Sequence, residues 1–277
     1  RIEEDHAEKP AMVRTVVRAS DEWKPVKDDP QPTVRPGSAL DRTPFLTHPG
    51  PCGKYGRVIV NGEGRLAFAG EPEKPVNFLA SCDGFEVFRG RGGVSGPQLD
   101  TKEKIAAYAA ELRRNGYNMV RDHFLDTVLV FDSKKDKELD PVWLDRFDYY
   151  VYCLKQNGIY LNIDAMTSWI GYSAGNPWDG KRSGNSAGFK FSIHFDPEAR
   201  ANWAAGMRAL LTHVNPYTGT RLAEDPVLAL IQGYNEQEFG FYKPGDWSIA
   251  APKFREFLKN RYGTVEHLRE SWGDLLP

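Results

Sequence analysis

Twice the chain closes a helical pattern on Asn-Gly and runs straight into an apolar stretch: ELRRNGYNMVRDH at 111–123 and CLKQNGIYLNID at 153–164. A glycine just past a helix end takes the left-handed backbone that other residues resist, so it stops the helix within one residue. No room is left for a hairpin, and the chain must go from helix to strand. The first helix is predicted from about Thr101 to Asn115, with Asp100 as its cap, Glu103 completing a capping box, and Ile105, Tyr108, Ala109 and Leu112 as its apolar stripe. The second has Asp140 as cap and Pro141 in the first turn, with Leu144, Phe147, Val151 and Leu154 facing inward. Strands are expected at Tyr117–His123 and Ile159–Asp164. A third unit follows, with a helix at Pro197–Val214, the loop NPYTGTRLAED and a strand from Val227. Helices at about Pro252–Tyr262 and in TVEHLRESWG end the pattern.

Upstream the pattern differs. Residues 1–52 are rich in proline, with a short candidate strand at Val13–Val17, and read as a linker or the remnant of a preceding domain. GRVIVNGEGRLAFAG at 56–70 reads as a β-hairpin turning at Asn61-Gly62. VNFLASC at 76–82 is the expected first strand of the repeating units, followed by the Gly-rich FRGRGGVSGPQ.

Strand-helix alternation with nearly continuous apolar strands implies a parallel sheet covered by helices. An open doubly wound sheet would place a phosphate turn after its first strand, with a helix opening on the glycines. No helix begins directly at the glycines of FRGRGGVSG. A (β/α)8 (TIM) barrel instead sets its chemistry at the C-terminal ends of several strands. Here Arg121 and His123, Asp164, and Asn235 with Glu236 all fall at such ends. The expected architecture is therefore α/β, the N-terminal half of a TIM (β/α)8-type barrel with its first four strand-helix units over residues 53–277, preceded by an extended segment. Four units would leave strand edges and apolar helix faces uncovered, so poor solubility or dimerisation is expected.

Composition removes several functions. The chain has 277 residues, with 38 acidic against 36 basic and a net charge of -2, which argues against nucleic acid as a partner. No apolar run approaches the roughly 20 residues of a membrane span. Cys52, Cys82 and Cys153 lack metal-type spacing, and there is no nucleotide loop, HExxH, GxSxG or CxxC. No metal or cofactor is expected.

The strand ends carry the candidate chemistry. DPVLALIQGYNEQEF at 225–239 leads from a buried run into Tyr234, Asn235 and Glu236 with no local cation. Partial burial there would raise the pKa of Glu236 and suit it to general acid catalysis. Asn235 can donate to a hydroxyl. Arg121 and His123 alternate and so share a strand face, as do Asn162 and Asp164. Arg121 can hold a catalytic carboxylate ionised, or can pair structurally with Asp122 or Asp126; His123 and Asp164 can bind hydroxyls. The long segment 166–195 carries Trp169, Tyr172 and Trp178 among Gly, Ser and Asn, a mix that suits stacking on a sugar ring; an internally packed loop explains some of these rings equally well. His194 has no metal-spaced partner and reads as structural or rim.

With these residues the chain resembles the retaining glycoside hydrolases of the clan that holds family 5 cellulases and mannanases and family 42 β-galactosidases. NGYNMVRDH, NGIYLNIDA and LALIQGYNEQEF are similar to the second, third and fourth strands of such barrels, and HVNPYTGTRLAED and SALDRTPFLTHPGPCGKYGRVIVNGEGRLAF to uncharacterised cellulase-like members. KNRYGTVEHLRESWG resembles a stretch of family 42-like enzymes, and the likeness spans about 38–277. It implies hydrolysis of β-glycosidic bonds with retention. Glu236 would be the acid/base, Asn235 would contact the hydroxyl beside the anomeric carbon, and Arg121 would support the nucleophile; Tyr234, His123, Asp164, Trp169 and Trp178 are substrate-binding candidates from the residues themselves. The clan's nucleophile is a Glu ending a seventh strand, so none is assigned here and this half-barrel is expected to be inactive alone. The resemblance also implies a secreted or periplasmic setting. A non-catalytic carbohydrate-binding protein on the same scaffold, and an open-sheet enzyme holding a phosphate on FRGRGGVSG, are the alternatives.

Overall fold

The computed structural model describes residues 18–23, 33–84, 99–130, 133, 135, 137–167, 193–195, 197–236 and 247–273. The candidate strand at 13–17 and the glycines of 88–98 lie outside them. Two compact units divide at Thr33/Val34. The described part of the first is a turn in which the Trp23 amide donates to the Ser20 hydroxyl at 3.1 Å.

The second unit begins with a three-stranded antiparallel sheet of β1 (Val58–Val60), β2 (Leu66–Phe68) and β3 (Glu71–Pro75), in that order. The β1–β2 hairpin forms, but its turn is not the two-residue Asn-Gly type. Val60 pairs with Leu66, which leaves a five-residue loop at 61–65. The Asn61 side-chain oxygen accepts from the amides of Glu63 and Arg65 at 3.0 and 2.9 Å, and Gly64 takes the positive φ of 74°. An Asx-type turn at Asn61 has displaced the tighter one.

The larger sheet holds β4 (Ala80–Gly84), β5 (Met119–His123), β6 (Tyr160–Asp164) and β7 (Leu228–Gln232), all parallel and in sequential order. β4 starts four residues later than the apolar run suggested, because Val76 is held by the other sheet, its amide donating to the Leu66 carbonyl at 2.8 Å. The helices are α1 (Lys102–Arg114), a single turn α2 (Leu125–Val128), α3 (Pro141–Gln156), α4 (Pro197–Thr212), α5 (Trp247–Tyr262) and α6 (Val265–Trp272). Right-handed crossovers between strands in strictly sequential order send the connecting helices α1, α3 and α4 to the same side. That is the winding of a barrel wall; a doubly wound sheet needs a reversal of strand order. The fold is a partial TIM-barrel α/β structure. No helix among the described residues is long and apolar enough to cross a membrane.

Both Asn-Gly helix ends form as the sequence implies. After α1, the Tyr117 amide reaches back to Leu112 and Gly116 to Arg113, both at 3.0 Å; after α3, Ile159 reaches Leu154 at 3.0 Å and Gly158 reaches Lys155 at 3.1 Å. These are paired Schellman closures with the glycines at φ 91° and 69°. At the N-termini, Asp140 caps α3, accepting from Val142 and Trp143 at 2.9 and 3.1 Å. The cap of α1 is Thr101, not Asp100; Asp100 instead pairs with Lys104 at 2.6 Å. The core joins Ile105, Ala109 and Leu112 of α1 to Phe147, Tyr150, Val151 and Leu154 of α3 and to Val120, Leu161 and Ile163 of the sheet.

The chain from Val34 to Cys52 packs beneath this sheet and supplies donors to helix ends that would otherwise leave carbonyls without partners. The Arg42 amide donates to Arg114 and the Cys52 amide to Lys155, each at 2.8 Å, and Val34 donates to the Glu111 carboxylate at 2.7 Å. Cys52 itself is buried in the core.

Candidate functional site

Strand periodicity places Arg121 and His123 on one face of β5 and Asp122 on the other. Arg121 stands beside Asn162 of β6 in register, and Asp164 beside Gln232 of β7. The polar face of three adjacent strands thus converges at their C-terminal ends.

Asp164 is fully buried and forms the hub. The Arg121 guanidinium approaches it with three contacts of 3.2 to 3.3 Å. His123 meets the same carboxylate through Nδ1, and the Thr167 hydroxyl donates to it at 3.4 Å. Arg121 therefore takes neither Asp122 nor Asp126 as its partner. Asp126, also buried, accepts the Thr167 amide at 3.1 Å and holds the loop after β6 in place. The pKa of His123 is lowered. Burial is the largest cause and the Arg121 charge adds to it, while Asp164 and then Glu236 act in the other direction. The neutral ring that results must keep its proton on Nδ1 to meet a carboxylate, which makes Nε2 an acceptor.

Arg121 also reaches across to β7, donating from Nη2 to the Asn235 side-chain oxygen at 2.8 Å. A guanidinium has donors only, so this contact fixes which branch of the amide faces it, and the NH2 group occupies the other branch. The backbone holds the same arrangement: Asn235 donates to Met166 at 2.9 Å and Ala165 to Gln232 at 2.8 Å, tying the β6 and β7 ends together. Glu236 follows with a left-handed backbone, φ 56°, as does Phe124 directly after His123, φ 63°. A non-glycine residue held there is strained by roughly 1–2 kcal/mol. Strain at two strand ends of one mouth is the pattern of a site whose geometry is imposed by its surroundings.

The expected residues divide. Arg121, His123, Asp164 and Asn235 come together, and Glu236 adjoins them. Glu236 is exposed, so the burial expected to desolvate it is not found. Asp164 has no exposed surface and is in contact with Arg121 and His123. Tyr234 is 7% exposed, with its hydroxyl on His194 and its ring in a second small core with Met166, Ile193, Ala199 and Trp203, and it lines a cavity together with His194 and Arg200. Trp169 and Trp178 lie outside the described residues. Sequence reasoning missed Thr167, and offered Asp126 only as a partner for Arg121 rather than for the Thr167 amide. Neither spacing nor residue type marks that contact, since it depends on loops about forty residues apart closing on each other. Among the described residues no three His, Cys, Asp or Glu side chains gather as a metal site.

No family model and no curated protein matches the chain. Among solved structures it is similar to a family 5 glycoside hydrolase mannosidase from Rhizomucor miehei in complex with mannosyl-fructose, at 14% identity and a TM-score of 0.47, covering 74% of this chain and 53% of that one. An endo-1,4-β-mannanase from the same organism follows at 17% identity and a TM-score of 0.42, covering 61% and 45%. A family 5 glycoside hydrolase from Bacteroides vulgatus is similar at 16% identity and a TM-score of 0.33, covering 69% and 45%. The chain spans about half the length of these proteins.

Proposed function

We propose that this chain carries the acid/base side of a retaining glycosidase site acting on β-linked oligo- or polysaccharides. Glu236 protonates the departing glycosidic oxygen and then activates water; Asn235 donates to the neighbouring sugar hydroxyl; Nε2 of His123 accepts from another. Asp164 acts through Arg121 and His123. The observation that carries this reading is the linkage Asp164–Arg121–Asn235, which orients one amide across three strands immediately before a carboxylate. Glu236 is exposed, so a bound sugar must exclude solvent and supply the dry surroundings that a general acid needs. Trp169 and Trp178 remain the proposed stacking platform. The mechanism requires a second carboxyl about 5–5.5 Å from the first. None of the described residues is assigned to that role.

The test is an aryl β-glycoside series on the longest natural chain containing these residues. Glu236→Ala should cut turnover about 10²–10⁴-fold with phenol leaving groups of high pKa. With dinitrophenyl leaving groups, which depart without a proton, bond cleavage should survive and added azide should speed release of the sugar. An equal loss across the whole series, with no effect of azide, sinks the assignment. Saccharide binding that ignores Glu236→Gln, without hydrolysis of any glycoside, would favour the carbohydrate-binding alternative.

A further inference from the structure

The opposite end of the sheet holds a charge that the glycosidase reading does not use. Arg113, in the last turn of α1, is 7% exposed, yet its side chain has no hydrogen bond or ion pair among the described residues, and Nη1 is buried without an acceptor. Burial depresses its pKa, but a guanidinium still keeps its proton at neutral pH. The ionisable group that acts on it in the other direction is the Cys52 thiol. Burial pushes that thiol's pKa far up, and the Asp225 charge adds to the rise, so Cys52 offers no thiolate as counterion. Described carboxylates in the surroundings are already taken. Asp225 is held by Lys155 at 2.9 Å, Glu111 by Arg114 at 2.6 Å, and Glu71 by Lys74 at 3.0 Å with His48 beyond it at 3.5 Å. A buried, unpaired cation is costly, and proteins otherwise supply it with a partner.

Arg113 lines a cavity of about 290 Å³. That volume is at the small end of the range for ligand sites, roughly 300 Å³ upward. Its walls include Phe68, Phe78 and Tyr160, with ring centroids 5.2 to 6.4 Å apart, and its polar rim includes His48 and Asn118. Asn118 is committed to the backbone, accepting from Leu79 at 2.7 Å and donating to Asn77 at 2.9 Å. The site therefore offers one cation without a partner among the described residues and a wall that includes three aromatic side chains. Tyr160 begins β6 and Asp164 ends it, which separates this cavity from the Glu236 site by roughly 13 Å of strand.

We propose that this cavity is a binding site for a small carboxylate with a flat apolar body, Arg113 holding the carboxylate and Phe68, Phe78 and Tyr160 the body. The experiment titrates the 277-residue chain with benzoate, benzyl alcohol and inorganic phosphate, using ligand-observed NMR and thermal unfolding. Saturable benzoate binding is expected, about tenfold or more tighter than either control, with a corresponding rise in Tm. Arg113→Met keeps the apolar stem and removes the charge; it should weaken benzoate at least about tenfold while its own unliganded Tm stays level or rises. Arg113→Lys serves if the Met variant does not fold. Losing the planar fork, it should bind benzoate measurably more weakly than the parent. Benzoate binding that persists in Arg113→Met or is unchanged in Arg113→Lys, phosphate that binds as tightly as benzoate, or no saturation by about 10 mM overturns the proposal.

Discussion

Replacing Asp164 with Asn tests whether the polar hub organises the strand ends. The substitution keeps the shape and removes a fully buried negative charge that faces Arg121, His123 and Thr167. Removing one partner of a buried pair commonly costs about 3–5 kcal/mol, because the other charge is left uncompensated. Arg121 keeps 27% of its side-chain surface exposed, so water recovers part of its solvation, and the new amide oxygen still accepts one bond. About 2 kcal/mol is the reasonable expectation, equivalent to a fall in Tm of roughly 4–8 °C for a domain of this size. Circular dichroism melting of the single variants Asp164→Asn and Arg121→Met and of the double variant closes a thermodynamic cycle. The coupling should exceed about 1 kcal/mol. The Asn235 side-chain NH2 resonance should also move in Asp164→Asn, since Arg121 transmits the change. An additive cycle with a loss below about 0.5 kcal/mol and a stationary Asn235 resonance would refute the hub.

Gly158→Ala should destabilise the domain by more than about 1 kcal/mol, since the residue sits at φ 69° and an added Cβ would lie 2.7 Å from the Gly50 amide nitrogen; a chemical-denaturation midpoint within error of the parent would contradict this. Burial raises the Asp148 carboxyl to about 6, overriding the hydrogen bond from His213 at 2.7 Å. A raised folded pKa gives stability that is complete below the unfolded value near 3.8 and lost as pH rises through about 6. Asp148→Asn should therefore raise stability at pH 7.5 by about 1–2 kcal/mol, after allowance for residual solvent screening, and change little at pH 4; a gain at pH 4 equal to that at pH 7.5 would exclude the linkage.

Local signals were legible because their causes are local. Asn115-Gly116 and Asn157-Gly158 close their helices with bonds spanning five residues, and Asp140-Pro141 opens a helix with bonds spanning three. Where two neighbouring residues could do the same job, the sequence did not choose between them. Thr101 rather than Asp100 caps α1, and Gly64 rather than Gly62 takes the positive φ of the hairpin loop. The strand-end residues were legible as a face, but not their pairings. Arg121 finds Asp164 and Asn235 on other strands, whereas the sequence placed Asp122 and Asp126 nearest to it. Burial was hardest to read: Tyr234 and Glu236 are two residues apart, one enclosed by a small core and the other in water.

The segment beneath the sheet also bears on how the domain assembles. Arg42 and Cys52 leave the ribosome first, yet the carbonyls they bind, on Arg114 and Lys155, belong to helices made much later. Until α1 and α3 exist, this segment has nothing to fasten to, and closing such long loops costs entropy that only the finished helices offset. The floor of the domain is thus expected to be among the last parts to order during folding and, by the same reasoning, an early part to loosen when the domain is stressed.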